Sequence, residues 1–361
     1  MRVRLLDLGS VPYVESQTIY HGVAYAMGED SPNTVSLMSP ASPYVCIGFH
    51  QELEKEIDVD YCKARDLPIL RREVGGGAVY LDGGQLFLHF IFHRGDLPRK
   101  VEELYALFIR PLVGTYRAFG VEAEHRPLND IVVRGRKIGG TGIASIGQAV
   151  VVAGSLMFDF DSQTMAGALK VSSEKMRDKV YQSLQEYMTT VARELGAPPP
   201  SQEVKRALIA NVGQSLGVEL EPGDLTAAEK QTIRRLNRRF LSKRWLHQKG
   251  GLRGRGITIG AGVSVAETEY KAPGGLIRLT ARLNDGTIED LSISGDFTFH
   301  PAAALARLEA SLRGRRLEER SLAAAVGGFY RSNAVQAPGL DPEHVAHALS
   351  LLGDPGRQAA S

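Results

Sequence analysis

Residues 71–80 read RREVGGGAVY, with three consecutive glycines between a pair of arginines and a strand-like apolar run. Each glycine loses more backbone entropy on folding than any other residue, so a run of three needs a geometric reason. Turns that require φ > 0 account for one or two glycines, and hairpins often use them. The second reason is close approach: without Cβ, a ligand can lie against the backbone and accept hydrogen bonds from its N–H groups. Both readings stand on these residues alone. Immediately outward, residues 78–92, AVYLDGGQLFLHFIF, read as two strands around Asp82-Gly83-Gly84, which would set the glycine run at the mouth of a hairpin.

Further out, residues 15–27 predict a helix, and TVSLMS (34–39) and YVCIGF (44–49) predict apolar strands separated by Pro40 and Pro43. In residues 99–120, Val101, Leu104, Leu107, Phe108, Leu112 and Tyr116 recur at helical spacing. A second hairpin is expected where DIVVRGRKIGGTGIAS (130–145) runs into AVVVAGSLMFDFD (149–161). Beyond residue 160 the pattern turns mainly helical, with PPPS (198–201) as punctuation between helices. QKGGLRGRG (248–256) joins four glycines to three basic residues without apolar periodicity and reads as a linker. After it, residues 257–270, 275–285 and 286–300 read as three strands, with a tight turn at Asn284-Asp285-Gly286, and residues 301–312, 317–328 and 342–352 as helices. The expected architecture is α/β (α+β): a large mixed-sheet domain over 1–247, a linker over 248–256, and a smaller α/β domain over 257–361.

Composition narrows the function classes. At 361 residues the chain exceeds what one core usually organises. Lys+Arg 43 against Asp+Glu 41 gives a net charge of +2, too balanced for bulk electrostatics to announce a nucleic-acid protein, and no nucleic-acid partner is expected. Cys46 and Cys62 are too few for a disulfide framework or a four-cysteine zinc site. A cytoplasmic protein with no membrane partner is expected, since no segment approaches a membrane-spanning run and the amino terminus lacks a sustained apolar core.

The second chemically loaded segment is NDIVVRGRKIGG, residues 129–140. Asp130 precedes a strand and Lys137 follows Gly135-Arg136 on the return strand, so a one-to-one hairpin would carry both toward one end of a sheet. A solvated surface ion pair is the plain reading. Gly139, Gly140 and Gly142 argue for more, because they strip side chains where something could approach the backbone. Two glycine-stripped loops beside the cations Arg72 and Lys137 suggest an anionic ligand.

RREVGGGAVYLDGGQLFLHF, followed by NDIVVRGRKIGGTG and AGSLMFDFD, resembles the lipoate-protein ligase family, and ETEYKAPGGLIRLTARLNDGTIEDLSISGDF resembles that family's small accessory domain. The resemblance implies a fold of the biotin/lipoate ligase type. It also implies an enzyme that activates lipoate or octanoate with ATP and Mg2+ to an acyl-adenylate, then passes the acyl group to a lysine of a lipoyl domain. The acceptor would be a dehydrogenase-complex E2 subunit, the glycine cleavage H protein or a similar lipoyl carrier. By the same resemblance, Arg72, Gly77, Ala78, Val79, Tyr80, Asn129, Asp130 and Lys137 fall on the nucleotide and adenylate contacts. Gly75, Gly76, Gly77, Lys137 and Gly140 fall on the lipoate contacts, Asp130 near the metal, and Lys137 on the catalytic lysine that bridges the acyl carbonyl and the α-phosphate.

Several positions depart from the family pattern: Leu81-Asp82 stands for His-Asp, Gly84-Gln85 for Gly-Asn, Gly139-Gly140-Thr141-Gly142 for Ser-Gly-Ser-Ala, and Ala153-Gly154 for His-Gly. An ATP-independent octanoyl or lipoyl transferase of the same superfamily is one alternative, but such relatives carry a cysteine shortly before the Asn-Asp pair, where this chain reads VEAEHRPLND. A non-catalytic lipoyl-binding protein is another. Biotin-protein ligase is a weaker rival, because its glycine-arginine loop is not seen. The densest basic run, KQTIRRLNRRFLSKR (230–244), reads either as a solvated helix face or as a docking surface for an acidic lipoyl domain.

Overall fold

Residues 2–250, 252 and 263–353 are described by the structure, a computed structural model, and they fall into two units, each with its own apolar core. The first unit draws on residues 1–46, 56–72 and 78–246. Its strands are β1 (Arg2–Val11), β2 (Thr34–Pro40), β3 (Tyr44–Ile47), β4 (Ile69–Arg71), β5 (Val79–Leu81), β6 (Gln85–His93), β7 (Glu124–Arg126), β8 (Asp130–Val133), β9 (Arg136–Ile146), β10 (Ala149–Met157) and β11 (Glu219–Pro222). Eight of them form one sheet in the order β11-β1-β2-β6-β10-β9-β8-β7, and β4, β3 and β5 form a small sheet of three. The large sheet is mixed: β1 runs parallel to β2 and β11, while β6 is antiparallel to β2 and β10.

The sequence of β6, QLFLHFIFH, explains its place at the middle. It is apolar on both faces, as a strand covered on both sides requires, and only its last residue is not buried. Leu86, Leu88, Phe90 and Phe92 point into the core shared with the helices Val101–Ala118 and Ser201–Leu216. Phe87 points the other way, toward Ile19 of the helix Glu15–Ala26 and Ile233 of the helix Ala227–Phe240. The two-residue period of a strand makes this division automatic. His89, on the second face, stacks on Tyr20 with ring centroids 4.2 Å apart and lies 3.1 Å from the Ser36 hydroxyl. Burial pushes its pKa down to about 3, so it is a neutral core residue.

The hairpin expected over residues 78–92 does not form. The turn is present, with the Gly84 N–H donating to the Asp82 carboxylate at 2.9 Å, but β5 pairs with β3 while β6 pairs with β2 and β10. Three residues of β5 are too short a partner to cover a nine-residue apolar strand, and the longer neighbours β2 and β10 bury it instead.

The second unit holds β12 (Val263–Ala272), β13 (Gly275–Asn284) and β14 (Thr287–Gly295) as an antiparallel sheet. Asp285 and Gly286 take φ of 47° and 75°, the pair of positive values that a two-residue hairpin turn needs. The helices Ala304–Ser311, Glu319–Ser332 and Pro342–Ser350 close its core. Most of the linker expected over 248–256, and the start of the strand expected at 257, lie outside the described residues. Lys249 is buried and pairs with Glu309.

Residues 47–55 and 73–77 also belong to the second unit, although the sequence reading placed them in the large domain. The Gly295 N–H donates to the His50 carbonyl at 3.1 Å, and the His50 ring stacks on Phe297 with centroids 5.3 Å apart.

Phe108 packs its ring on Phe90 (4.6 Å) and Phe92 (5.4 Å) beneath the large sheet. Truncation there removes transfer energy and leaves a cavity. Phe108→Ala is expected to cost about 3–5 kcal/mol in urea unfolding, whereas Met176→Ala, at a position 41% exposed, should stay within about 0.5 kcal/mol.

Candidate active site

The hairpin of β8 and β9 turns through Arg134 and Gly135, with φ of 49° and 80°. From that turn, Val133 faces Arg136 and Val132 faces Lys137, but Ile131 faces Gly139, so Ile138 is an extra residue in β9. The bulge then brings Gly140 opposite Asp130. A Cβ on Gly140 would come 3.1 Å from Lys137 Cε and 3.2 Å from Nζ. The lysine side chain therefore lies across the bare backbone of Gly140.

Lys137 Nζ stands 2.7 Å from Asp130 Oδ1, and Arg126 Nη2 stands 2.8 Å from Oδ2. Burial alone would raise the Asp130 pKa, but the Lys137 ammonium and the Arg126 guanidinium outweigh it and hold the carboxyl below its ordinary range. The side chain of Lys137 remains 39% exposed. An ammonium has three N–H donors, so one contact to Asp130 leaves others for a ligand. Asn129 closes the end of the hairpin: its Nδ2 donates to the Thr141 carbonyl at 2.8 Å, and its own carbonyl accepts the Thr141 N–H at 2.9 Å.

Two features of this site were not legible in the sequence. One is Arg126, which completes a cation pair around Asp130. The other is Glu194, whose carboxylate accepts from Arg136 at 2.8 Å and from Arg134 and Thr189, with the Thr189 N–H donating to the Lys137 carbonyl at 2.9 Å. Burial opposes the Glu194 charge, but these donors prevail and its pKa is lowered. Nothing in the local pattern of VARELGA marks that glutamate as an anchor.

The other expected site residues have partners of their own. Arg72 donates to the Cys46 carbonyl at 3.1 Å, and Val79 and Tyr80 of β5 face Cys46 and Val45. Ala78 immediately precedes that strand. The buried Tyr80 ring meets Phe160 edge-on. Gly75, Gly76 and Gly77 belong to the second unit: the Gly76 N–H points to the Phe297 carbonyl at 3.4 Å, and a Cβ on Gly75 would come 3.0 Å from that oxygen. A Cβ on Gly48 would come 1.9 Å from the Gly76 carbonyl oxygen. Close backbone packing thus gives the glycine run a structural reason of its own. Both Asp130 oxygens are engaged by cations, and no group of three His, Cys, Asp or Glu side chains suited to a metal occurs among the described residues. Among those residues no helix is long and apolar enough to cross a membrane.

Residues 15–213 match the model of the lipoyl protein ligase A/B catalytic domain, and residues 266–349 match the bacterial lipoate protein ligase C-terminus. The chain is 29% identical over 289 residues to the lipoate-protein ligase LplJ of Bacillus subtilis, covering 79% of this chain and 82% of that one. It is 27% identical over 250 residues to an octanoyltransferase LipM of Kyrpidia tusciae, covering 63% and 91%. Among solved structures, a bi-partite lipoate protein ligase from Thermoplasma acidophilum superposes with a TM-score of 0.63 at 25% identity, over 68% of this chain and 96% of that one. P. falciparum LipL1 shares the fold over 96% of this chain and 99% of its own, with a TM-score of 0.70 at 14% identity.

A folded-state pKa held below the ordinary carboxylate value means that the Asp130 contacts stabilise the fold above pH 3.8, and that this contribution is lost as pH falls through the lowered value. Lys137→Met should move the Asp130 titration upward, read by carbon-13 NMR of the carboxyl. The stability difference between parent and variant should shrink in acid below that window. An unmoved Asp130 titration would show that the ammonium does not govern the carboxylate.

Proposed function

This chain belongs to the lipoyl protein ligase A/B family, whose catalytic-domain model spans more than half of it, and we propose that it is an ATP-dependent ligase acting on lipoate or octanoate. The acyl carboxylate attacks the α-phosphorus of ATP, and pyrophosphate leaves. The neutral amine of an acceptor lysine then attacks the acyl carbonyl, AMP leaves, and the amine proton is released. The observation that carries this reading is the Lys137 ammonium, paired with Asp130 at 2.7 Å and lying over the bare backbone of Gly140. Bringing a carboxylate to a triphosphate builds negative charge, and a fixed cation with donors to spare stabilises it where it develops. Asp130 aims Lys137, and Asn129 holds the hairpin end. Arg72 and Ala78 to Tyr80 are assigned to the nucleotide, and Gly75, Gly76 and Gly77 to the acyl-adenylate. Magnesium would arrive on the nucleotide phosphates, where it neutralises charge. The ATP requirement argues for a cytoplasmic setting.

A relative named octanoyltransferase raises the ATP-independent alternative, in which a cysteine would carry the acyl group as a thioester. Both cysteines argue against it. Cys46 and Cys62 are buried, and burial pushes the Cys46 thiol up and the Cys62 thiol to about 11, away from the thiolate that such chemistry needs. The acceptor proposed is a lipoyl domain; the similar Thermoplasma acidophilum ligase is described with its E2 lipoyl domain.

With ATP, magnesium and lipoate or octanoate, the parent protein should release pyrophosphate. Lys137→Ala should lower that rate at least ~10²-fold, by analogy with the loss of one preorganised donor, and Lys137→Arg should not restore it, because a planar fork replaces a compact ammonium poorly. Lys271→Ala, at a side chain 69% exposed, serves as the control and should keep the parent rate. A Lys137→Ala protein as fast as the parent would sink the mechanism, and octanoyl transfer from acyl carrier protein without ATP would favour the transferase.

A further inference from the structure

The ladder between β9 and β10 runs from Ala149↔Ile146 to Gly154↔Thr141 and goes no further. Continued in the same register, Met157 would face Ile138. Instead, the hydroxyl of Tyr116, from the helix Val101–Ala118, occupies the gap: it donates to the Ile138 carbonyl at 2.9 Å and accepts the Met157 N–H at 2.9 Å. Ile138 is the residue that has no partner on β8, so its carbonyl belongs to the bulge. Tyr116 is 2% exposed, and a polar group buried that deeply has to find partners within the protein. A Cβ on Gly139, the next residue, would come 3.3 Å from the Ser155 carbonyl and 3.6 Å from the Tyr116 hydroxyl. The strand pair is therefore wedged open at one point by one oxygen, beside the residue whose carbonyl it holds.

We infer that Tyr116 is a positioning residue for Lys137, its hydroxyl holding β9 away from β10 so that the bulge at Ile138 keeps the ammonium against Asp130. The inference rests on the ligase reading for its consequence in activity, but not for its geometry. Without the hydroxyl, the Ile138 carbonyl and the Met157 N–H lose their partner, and the cheapest repair is to pair with each other. That closure draws β9 toward β10, removes the extra residue's room and shifts Lys137, one position earlier in the strand.

The test compares Tyr116→Phe with Thr115→Val, which deletes a neighbouring buried hydroxyl that serves only its own helix, donating to the Pro111 carbonyl at 2.7 Å. In the Phe variant the Asp130 carboxyl, followed by carbon-13 NMR, should titrate higher than in the parent as Lys137 withdraws. Pyrophosphate release should fall about 10-fold or more, as sub-ångström misplacement of a catalytic group commonly costs, with the KM for ATP little changed. Thr115→Val should leave the Asp130 curve where it is. A parent-like Asp130 titration in Tyr116→Phe overturns the inference, and so does an unaltered rate in a variant whose curve has moved. If the parent itself makes no adenylate, the ligase reading fails and the titration still decides the positioning role. Should the Phe variant not fold, the parent decides: a slowly exchanging Tyr116 hydroxyl proton with a cross-peak to the Met157 amide is expected, and its absence overturns the wedge.

Discussion

Lys137 and Asp130 form an ion pair beside the bare backbone of Gly140, and the chemistry proposed for this protein is built on it. The ammonium lies where a Cβ would crowd it, and the carboxylate is shared with Arg126. A pair this partly exposed contributes little to stability in general. Its value is positional. It fixes a cation that keeps donors available, and it orients the carboxylate. The surroundings serve that geometry: Glu194 ties the turn residues and Thr189 to the lysine's strand, and the Tyr116 hydroxyl spans the opening between strands.

The large sheet supplies the rigidity that such a pair needs. β6 is buried on both faces, and β10 joins it to β9, so the hairpin carrying Asp130 and Lys137 is anchored to the middle of the sheet through a short series of paired strands. Catalytic groups on regular elements are held more closely than those on loops. The departures from the family pattern at Gly139, Thr141 and Ala153 fall on the same strands. Gly139 and Gly140 leave room beside the bulge, and Ala153 pairs with His89 and Gly142 in the sheet interior.

In the glycine run, Gly75 and Gly76 pack against Phe297, Gly76 takes a φ of 89°, and Gly48 passes close to Gly76. The three residues are tied to the carboxy-terminal unit although they stand in the amino-terminal quarter of the sequence. A loop recruited this way has its conformation set by a distant part of the chain, which a reading of RREVGGGAVY by itself has no means to express.

Local pattern carried a large share of the fold. The helix Val101–Ala118, the hairpin β8–β9 with Arg134-Gly135 at its turn, and the strand pair around Asp285-Gly286 follow from side-chain periodicity and from residues that tolerate positive φ. Those signals act between near neighbours, so they are written in the order of the residues. The nearness of Asp130 to Lys137 follows in the same way, because one hairpin brings them together, while the roles expected of them came from the family resemblance. Tertiary structure alone decided that β5 pairs with β3 and not with β6, that residues 73–77 join the second unit, that Arg126 and Glu194 complete the electrostatics, and that β9 bulges at Ile138 under the Tyr116 hydroxyl. Each of these is a choice among partners that are far apart in sequence. Such choices are made by which pairing buries the most apolar surface and leaves no buried polar group unsatisfied, and neither quantity exists until the whole chain has folded.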